Sequence, residues 1–238
     1  MRFVQFTLFG PMASWGEIAP GEQRGSDRFP TRSAILGLLG ASLGFAKTDP
    51  RFQELCDSLL MASRTDGKGH LNIDFHTSQK IHNKAQREPR LTRKEVIQRF
   101  SDSAADMSTR EYWTDLFYRI LVWKTSTSGP SLEEIQGALQ EPVWQGYLGR
   151  KSCPLALPMK PEIVEGTHPV EVLKTLSSPS TIPDLESFPD TESAMICWEG
   201  DPTPYAAQTV VRRDVPEPRG VWQFRNRMEN QLLVPTCS

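Results

Sequence analysis

Alternation of apolar and polar positions predicts strands along the first half of the chain. Arg2–Phe9 alternates until a Gly-Pro breaker, and Tyr112–Lys124 combines aromatic with β-branched residues. Met61–Asp66 and His70–Thr77 flank an Asp-Gly-Lys-Gly sequence that is typical of a tight turn. This arrangement predicts that the two strands around the turn pair as a hairpin.

Helical periodicity occurs in three other stretches. After a Phe-Pro pair, Thr31 or Ser33 can cap a helix, and Pro50–Leu60 has the spacing of a short amphipathic helix. Ser131–Gln140 carries two glutamates in its first turn, which predicts a capped helix. With one further strand after Tyr147, the order of elements predicts an α+β fold of the type β-α-β-β-α-β, in which helices cover an antiparallel sheet.

Glycines recur in the first of these helices. Gly37, Gly40 and Gly44 are spaced three and four residues apart and form a stripe of small residues beside leucines. Three interpretations of these glycines are open. The helix packs closely on a sheet, the glycines contribute to a ligand site, or they bind a dinucleotide. Dinucleotide binding is the weakest of them, because it needs glycines at a strand-to-helix turn and not inside the helix.

The start of this helix is also a candidate phosphate site. Arg28 and Arg32 flank the first turn, where free backbone N–H groups and the helix dipole favour an anion. A second segment, Tyr147–Pro154, again places cations, Arg150 and Lys151, beside a glycine. Together the two segments predict a surface that holds the phosphates of a nucleic acid.

Charge is distributed unevenly, although the formal net charge is only −2. Residues 76–100 carry seven Lys or Arg against two Glu, whereas residues 160–204 carry nine acids against two lysines. The basic stretch lies in a polar segment, 78–109, that interrupts the predicted fold. Loops longer than about 15 residues inside compact domains are usually functional. Two interpretations of this segment are open: it is a basic face that holds a polyanion, or it is an ordinary solvated surface.

Three blocks carry a family resemblance: Gly10-Pro-Met-Ala-Ser-Trp-Gly16, Arg28-Phe-Pro-Thr-Arg-Ser33 followed by Leu36-Gly-Leu-Leu-Gly40, and Tyr147-Leu-Gly-Arg-Lys-Ser-Cys-Pro-Leu155. In order and spacing they resemble the CasD subunits of type I-E CRISPR Cascade complexes, which belong to the RAMP superfamily of RNA-binding proteins. The resemblance implies a ferredoxin-like, RRM-like RAMP domain over residues 1–157. It also implies a thumb inserted at about 78–109, and the remaining residues, 158–238, are predicted from their own pattern to form a smaller β-containing C-terminal domain.

The same resemblance implies a function. A CasD-like chain is expected to be a noncatalytic RNA-binding subunit that caps the 5′ handle of the CRISPR RNA, with no cofactor and no metal. Its expected neighbours are the Cascade backbone subunit and the large target-recognition subunit, and it meets target DNA only through the complex, in antiviral DNA interference. Since RNA-binding proteins stack bases on aromatic rings and hold phosphates with cations, the residues expected to contact RNA are Trp15, Arg24, Arg28, Thr31, Arg32, Ser33, His76, Lys80, Lys84, Arg87, Arg90, Tyr147, Arg150 and Lys151.

The C-terminal part has a different composition. After Pro158 the chain is rich in proline and acids, while Ala194–Trp198 and Ala207–Val211 keep the pattern of strands. These strands favour a small β-containing domain over a linker. Five late arginines around Trp222 and Phe224 allow either an RNA contact or packing of the tail against its neighbours, and we favour packing.

Two other functions are open from the sequence. A metal-independent endoribonuclease, as in relatives from another CRISPR subtype, needs a base, an acid and a cation, for which His76, His82, Tyr112 and Lys80 are the candidates. An α+β interaction module without nucleic acid is the third function. The chain has no run of 18 apolar residues and begins with an amphipathic strand, so we expect a cytoplasmic protein without membrane contact.

Overall fold

The computed structural model describes residues 1–176, apart from 20, 47, 80–91, 93, 96, 97 and 99–104, and residues 193–236, apart from 206 and 218–222. Its helices include α1 (Arg32–Ser42), α2 (Pro50–Ser58), α3 (Leu132–Gln140) and α4 (Pro169–Thr175). Its strands are β1 (Arg2–Leu8), β2 (Trp15–Gly16), β3 (Gln23–Arg24), β4 (Ser26–Asp27), β5 (Leu59–Asp66), β6 (His70–Gln79), β7 (Ala105–Thr114), β8 (Phe117–Lys124), β9 (Glu162–Glu165), β10 (Ser193–Trp198), β11 (Gln208–Pro216) and β12 (Phe224–Pro235).

Seven strands form one large sheet in the order β11-β12-β10-β5-β8-β1-β9. Every neighbouring pair in this sheet is antiparallel. A smaller sheet pairs β6 with β7 in antiparallel and β7 with β3 in parallel. The helices and the large antiparallel sheet confirm the predicted α+β class.

Helices cover both faces of the large sheet, so its central strands are buried on both sides. α1, α2 and α3 pack on one face, where they contact Phe6 of β1 among other residues. α4 packs on the opposite face, where the ring of Phe3 meets the edge of Trp123 with centroids 5.5 Å apart. Phe3 and Phe6 lie in different clusters because they are an odd number of residues apart, and side chains of a strand alternate between its two faces.

The strands around the Asp-Gly-Lys-Gly turn do not form the predicted hairpin. β5 pairs with β8 and β10 in the large sheet, whereas β6 pairs with β7 in the small one. The turn therefore moves the chain from one sheet to another, and positive φ angles at Gly67 (110°) and Gly69 (65°) allow this change of direction. Arg28 fixes the turn, because its Nη2 donates a hydrogen bond to the carbonyl oxygen of Gly67 at 2.6 Å.

The predicted strand Tyr112–Lys124 is divided between the two sheets. β7 ends at Thr114 and β8 begins at Phe117, with Asp115 in a left-handed conformation between them. β6 and β7 stay paired as far as Gln79 and Ala105. The segment predicted as a thumb thus begins inside this hairpin, and most of it, Lys80, Lys84, Arg87 and Arg90 included, lies outside the described residues.

The C-terminal strands extend the large sheet. The predicted strand Ala194–Trp198 lies within β10, which pairs directly with β5. Ala207–Val211 was predicted as another strand, and the structure places β11 from Gln208 onward. The division into two domains near residue 158 stays a prediction, and the sheet runs without a break from β5 into β10 and β12.

The glycines of α1 have different surroundings. A Cβ atom at Gly40 would lie 2.7 Å from the ring of Phe52, so α1 and α2 approach each other closely at this point. The close-packing interpretation is correct for Gly40, but the neighbour is a helix and not the sheet. A Cβ atom at Gly37 would meet nothing within 4 Å. None of the described helices is both long and apolar enough to cross a membrane.

Candidate nucleic-acid interface

The start of α1 is not the exposed phosphate site that its sequence predicts. Arg32 is 6% exposed, and its guanidinium forms an ion pair with Glu199. Its Nη2 also donates to the carbonyl oxygens of Cys56 (2.7 Å) and Leu59 (2.8 Å). Its backbone N–H donates to Oδ2 of Asp214 at 2.7 Å. A carboxylate of this protein therefore already occupies the helix terminus, and the prediction that Arg32 holds phosphate is wrong for this structure.

A buried network of charges surrounds Arg32. Arg227 donates to both carboxylate oxygens of Asp214, at 2.6 and 2.9 Å, and Arg212 pairs with Asp27 at 3.0 Å and with Glu229 at 3.2 Å. This network joins the start of α1 to β4, β11 and β12. Replacing one member of such a buried pair leaves its partner without compensation, which is strongly destabilising.

The pKa values in this network follow from burial and pairing. Burial raises the pKa of Glu199, although Arg32 and Arg227 oppose the rise. Burial also raises the pKa of Asp27, against Arg212. Burial acts to raise the pKa of Asp214 as well. The hydrogen bonds and the positive charge of Arg227 outweigh burial there, so the pKa of Asp214 is lowered.

Three other predicted residues are structural. Trp15 is 1% exposed and meets Tyr118 edge-on, with ring centroids 5.3 Å apart, so it offers no face to a base. Thr31 is buried at the N-cap position of α1, and its side chain accepts no capping hydrogen bond. Arg28 is half-buried against the ring of Trp113, at 5.9 Å from the centroid, while it holds the turn at Gly67.

The first and third sequence blocks meet in space at a turn, Tyr147–Lys151. The N–H of Ser14 donates to the carbonyl oxygen of Leu148 at 3.0 Å, which ties the first block to the third. Gly149 has φ +81°, and a Cβ atom there would lie 2.0 Å from the carbonyl oxygen of Ser14. Only glycine fits this position without a shift of the backbone. The turn is thus fixed against the loop that follows β1.

Cations and aromatic rings are exposed on this turn and beside it. Nη2 of Arg150 donates to the carbonyl oxygen of Arg24 at 3.1 Å, and its guanidinium lies 5.3 Å from the ring centroid of Tyr112. Arg24 and Lys151 are exposed, and neither is paired with a carboxylate among the described residues. Tyr147 is 44% exposed. We call Arg24, Tyr147, Arg150 and Lys151 the turn surface.

A groove of about 640 Å³ lies next to the turn surface. Trp144, Tyr147 and Phe224, each 40–47% exposed, contribute aromatic rings to it. Ser33 and Gly37 of α1 line it from another side. We call this cavity the α1 groove. The sequence analysis did not predict Trp144 as a site residue. The one feature that could have indicated it is an aromatic residue within the polar stretch that follows α3.

The candidate nuclease residues do not come together in the described part of the chain. His76 is exposed on β6, with Nε2 3.2 Å from Oδ2 of Asp74. Tyr112 is buried beneath Arg150. His82 and Lys80 lie outside the described residues. Among the predicted RNA-binding residues, His76 lies on β6, which β7 separates from β3 and from Arg24 of the turn surface.

Comparison with known proteins gives concordant results. The family described as "CRISPR-associated protein (Cas_Cas5)" matches residues 3–231. The Escherichia coli K12 protein named CRISPR system Cascade subunit CasD is 31% identical over 181 residues, which cover 72% of this chain and 75% of that protein. The resemblance that the three sequence blocks carry is thereby confirmed.

Two solved structures are similar over nearly the whole chain. A chain of a CRISPR RNA-guided surveillance complex has a TM-score of 0.67 and 26% identity, with 98% of this chain and 90% of that chain covered. A structure described as a Cas protein has a TM-score of 0.65 and 22% identity, covers 98% and 95% of the two chains, and shows the shared fold. The chain belongs to the Cas5 family of CRISPR-associated proteins.

Proposed function

We propose that this chain is a noncatalytic RNA-binding subunit of a type I-E Cascade complex. In this proposal it caps the 5′ handle of the CRISPR RNA and supports assembly of the complex for antiviral DNA interference. Its partners are the backbone subunit, the large target-recognition subunit and, through the complex, target DNA. Membership of the Cas5 family and the similarity to the E. coli subunit support the assignment.

The observation that carries the RNA-binding role is the joining of distant segments at the turn surface. Arg24, in β3, and Lys151, in the turn that follows α3, are both exposed, and Arg150 joins the two segments through its hydrogen bond to the Arg24 carbonyl. Exposed cations that pair with no carboxylate in the described part of the chain are able to hold phosphates, and neighbouring aromatic rings stack bases. The surface therefore combines the two chemistries that a single RNA strand requires.

The fold supports the rest of the assignment. Strands β9, β1, β8 and β5 lie side by side in the order of a ferredoxin-like β-α-β-β-α-β unit. We infer that this unit is the RAMP domain and that the hairpin of β6 and β7 is the base of its thumb. The basic segment between these strands would then meet the phosphates of the guide RNA.

The proposed absence of catalysis rests on the separation of the candidate groups. Tyr112 is buried and lies opposite Asn72, four residues from His76 along β6, so these two groups do not meet as an acid-base pair on an RNA strand. We expect no cleavage when the purified protein is incubated with repeat RNA in EDTA. A single site-specific cut that His76→Ala abolishes would instead establish the endoribonuclease.

A double substitution tests the turn surface. Arg24→Ala with Lys151→Ala removes two exposed cations. The logarithm of the association constant for guide RNA should then decrease less steeply with the logarithm of the salt concentration, by about 0.7 for each phosphate contact that is lost. Arg2→Ala with Lys174→Ala is the matched control, because it removes the same charge from exposed positions on β1 and α4. Equal salt slopes for the two double variants would contradict the proposed role of the turn surface.

A further inference from the structure

Another cavity, of about 730 Å³, lies between α2, α3 and the end of α1. Ser42, Leu43 and Phe45 line it from the end of α1 and just beyond, and Val143 lines it from the segment after α3. We call this cavity the helix cleft. It shares Phe45 with the α1 groove, and its other lining residues are absent from that groove. The two cavities are therefore separate places on the surface.

Carboxylates dominate the charge of the helix cleft. Glu54, Glu134 and Glu141 line it, all three are exposed, and none of them forms an ion pair within the described part of the chain. Arg51 lines it as well, but this cation is already held by Asp49, with Nη2 2.7 Å from Oδ2 and Nε 3.1 Å from Oδ1. The cleft therefore attracts a cation and repels a phosphate.

The end of α1 supplies an independent sign of a ligand. Ser42 lines the helix cleft and is 1% exposed, and its hydroxyl has no hydrogen-bond partner among the described residues. A buried hydroxyl without a partner is costly, and a donor that enters the cleft would remove this cost. We propose that the helix cleft receives a lysine side chain of a partner protein. This inference rests on the proposed function, because the assembled complex would supply the partner.

A lysine side chain matches both the apolar and the polar lining of the cleft. Its methylene stem can pack on Leu43, Phe45 and Val143, of which Val143 is 63% exposed. Its ammonium group carries three donors on a flexible stem, so it can bond a hydroxyl at the end of one helix and carboxylates on two others. The flat fork of an arginine suits a single carboxylate instead.

Two substitutions separate binding from stability. Ser42→Ala removes a hydroxyl that no described residue bonds, so the free chain should stay at least as stable while its affinity for lysine falls. Gly137→Leu fills the cleft, because Gly137 lines it and a Cβ atom there would meet nothing within 4 Å. Gly37→Leu is the matched control, since Gly37 has the same open space but lines the α1 groove. Both glycines are helical, so leucine should not weaken either helix.

The first measurement uses the full chain and two peptides. The probes are acetyl-Ala-Ala-Lys-Ala-Ala-amide and the same peptide with norleucine, which keeps the stem and lacks the ammonium group. Titration of the isotope-labelled chain by NMR follows the backbone amides of Ser42 and Val143. We expect the lysine peptide to bind at least about tenfold more tightly, as one charge-assisted hydrogen bond permits. Ser42→Ala should weaken this binding about threefold, Gly137→Leu should abolish it, and Gly37→Leu should preserve it.

The second measurement tests the source of the lysine. A carbodiimide joins a carboxylate to an amine that touches it, and the chain is treated with this reagent after assembly with guide RNA and its partner subunits. Mass spectrometry should find Glu54, Glu134 or Glu141 linked to a lysine of a partner subunit. Gly137→Leu should remove this link, and Gly37→Leu should leave it in place.

The outcomes separate the inference from the proposed function. Equal binding of the two peptides, or an assembled complex in which no glutamate of the helix cleft is linked to a partner lysine, overturns the inference. In either case the proposed function still stands if the assembled complex retains guide RNA. A chain that neither joins its partner subunits nor binds guide RNA overturns both.

Discussion

Arg32 at the start of α1 and Lys151 in the Tyr147–Lys151 turn have opposite environments. The Arg32 guanidinium is buried with Glu199 and two backbone carbonyl groups, whereas Lys151 lies in solvent. The two segments have similar sequences, with cations next to glycine or hydroxyl residues. The difference comes from acids that are remote in the chain, since Glu199 and Asp214 converge on α1 and no acid converges on Lys151 among the described residues.

The largest expected effect is the loss of stability in Arg32→Ala. This substitution removes the guanidinium that pairs with Glu199 and donates to the carbonyl oxygens of Cys56 and Leu59, and breaking a buried pair in this way costs about 3–5 kcal/mol. Lys151→Ala, which removes an exposed cation, should change the free energy of unfolding by no more than about 0.5 kcal/mol. Chemical denaturation of both variants measures the two values. A fully stable Arg32→Ala variant that fails to bind RNA would restore the phosphate-site interpretation.

The next largest expected loss of stability concerns the backbone of the Tyr147–Lys151 turn. Gly149→Ala forces a side chain onto a left-handed residue that lies against the Ser14 carbonyl, so we expect a loss of at least about 2 kcal/mol. Gly16→Ala is the control in the same region, because a Cβ atom at Gly16 would meet nothing within 4 Å. Thermal unfolding of the two variants checks the difference. If both variants melt together, the turn is not fixed by its contact with Ser14.

Much of the fold was accessible from sequence because it depends on local patterns. Alternation located β1 and β10, and the Ser131 signal located α3 with its capping box. The pairing of β5 was missed because a strong turn sequence indicates a change of direction and cannot specify which strand comes next in the sheet. β5 is buried along nearly its whole length and therefore takes a central place between β8 and β10.

The candidate site was predictable to a smaller degree. Arg24, Tyr147, Arg150 and Lys151 were identified by residue type, and they do lie together in the structure. Trp15 and Arg32 were included for the same reasons, but burial and pairing with distant residues decide their roles. A sequence shows which side chains are able to contact RNA, and it does not show which of them the folded chain has already used.

A smaller effect is the pH dependence of stability that Glu199 contributes. Its pKa is raised by burial in the folded state, so the folded chain binds a proton more readily than the unfolded chain. The wild-type chain should therefore gain stability relative to Glu199→Gln as the pH falls from neutrality towards the ordinary value of 4.5. Asp214 acts in the opposite sense, because its lowered pKa contributes stability that is lost as the pH falls below its ordinary value of 3.8.

Urea denaturation of the wild-type and Glu199→Gln chains at several pH values measures this difference. A relative gain for the wild-type chain as the pH rises would show that Arg32 and Arg227 outweigh the burial of Glu199. The central role assigned to burial in this network would then be wrong.

The most direct test of the account is to map where guide RNA touches this chain. Ultraviolet cross-linking of the chain, assembled with guide RNA and its partner subunits, should place RNA adducts on the tryptic peptide 125–150, which contains Trp144 and Tyr147. Mass spectrometry identifies the modified residues. Adducts on either aromatic residue are the predicted result. Adducts confined to β9 and α4, with none on this peptide, would contradict the placement of RNA at the turn surface and the α1 groove.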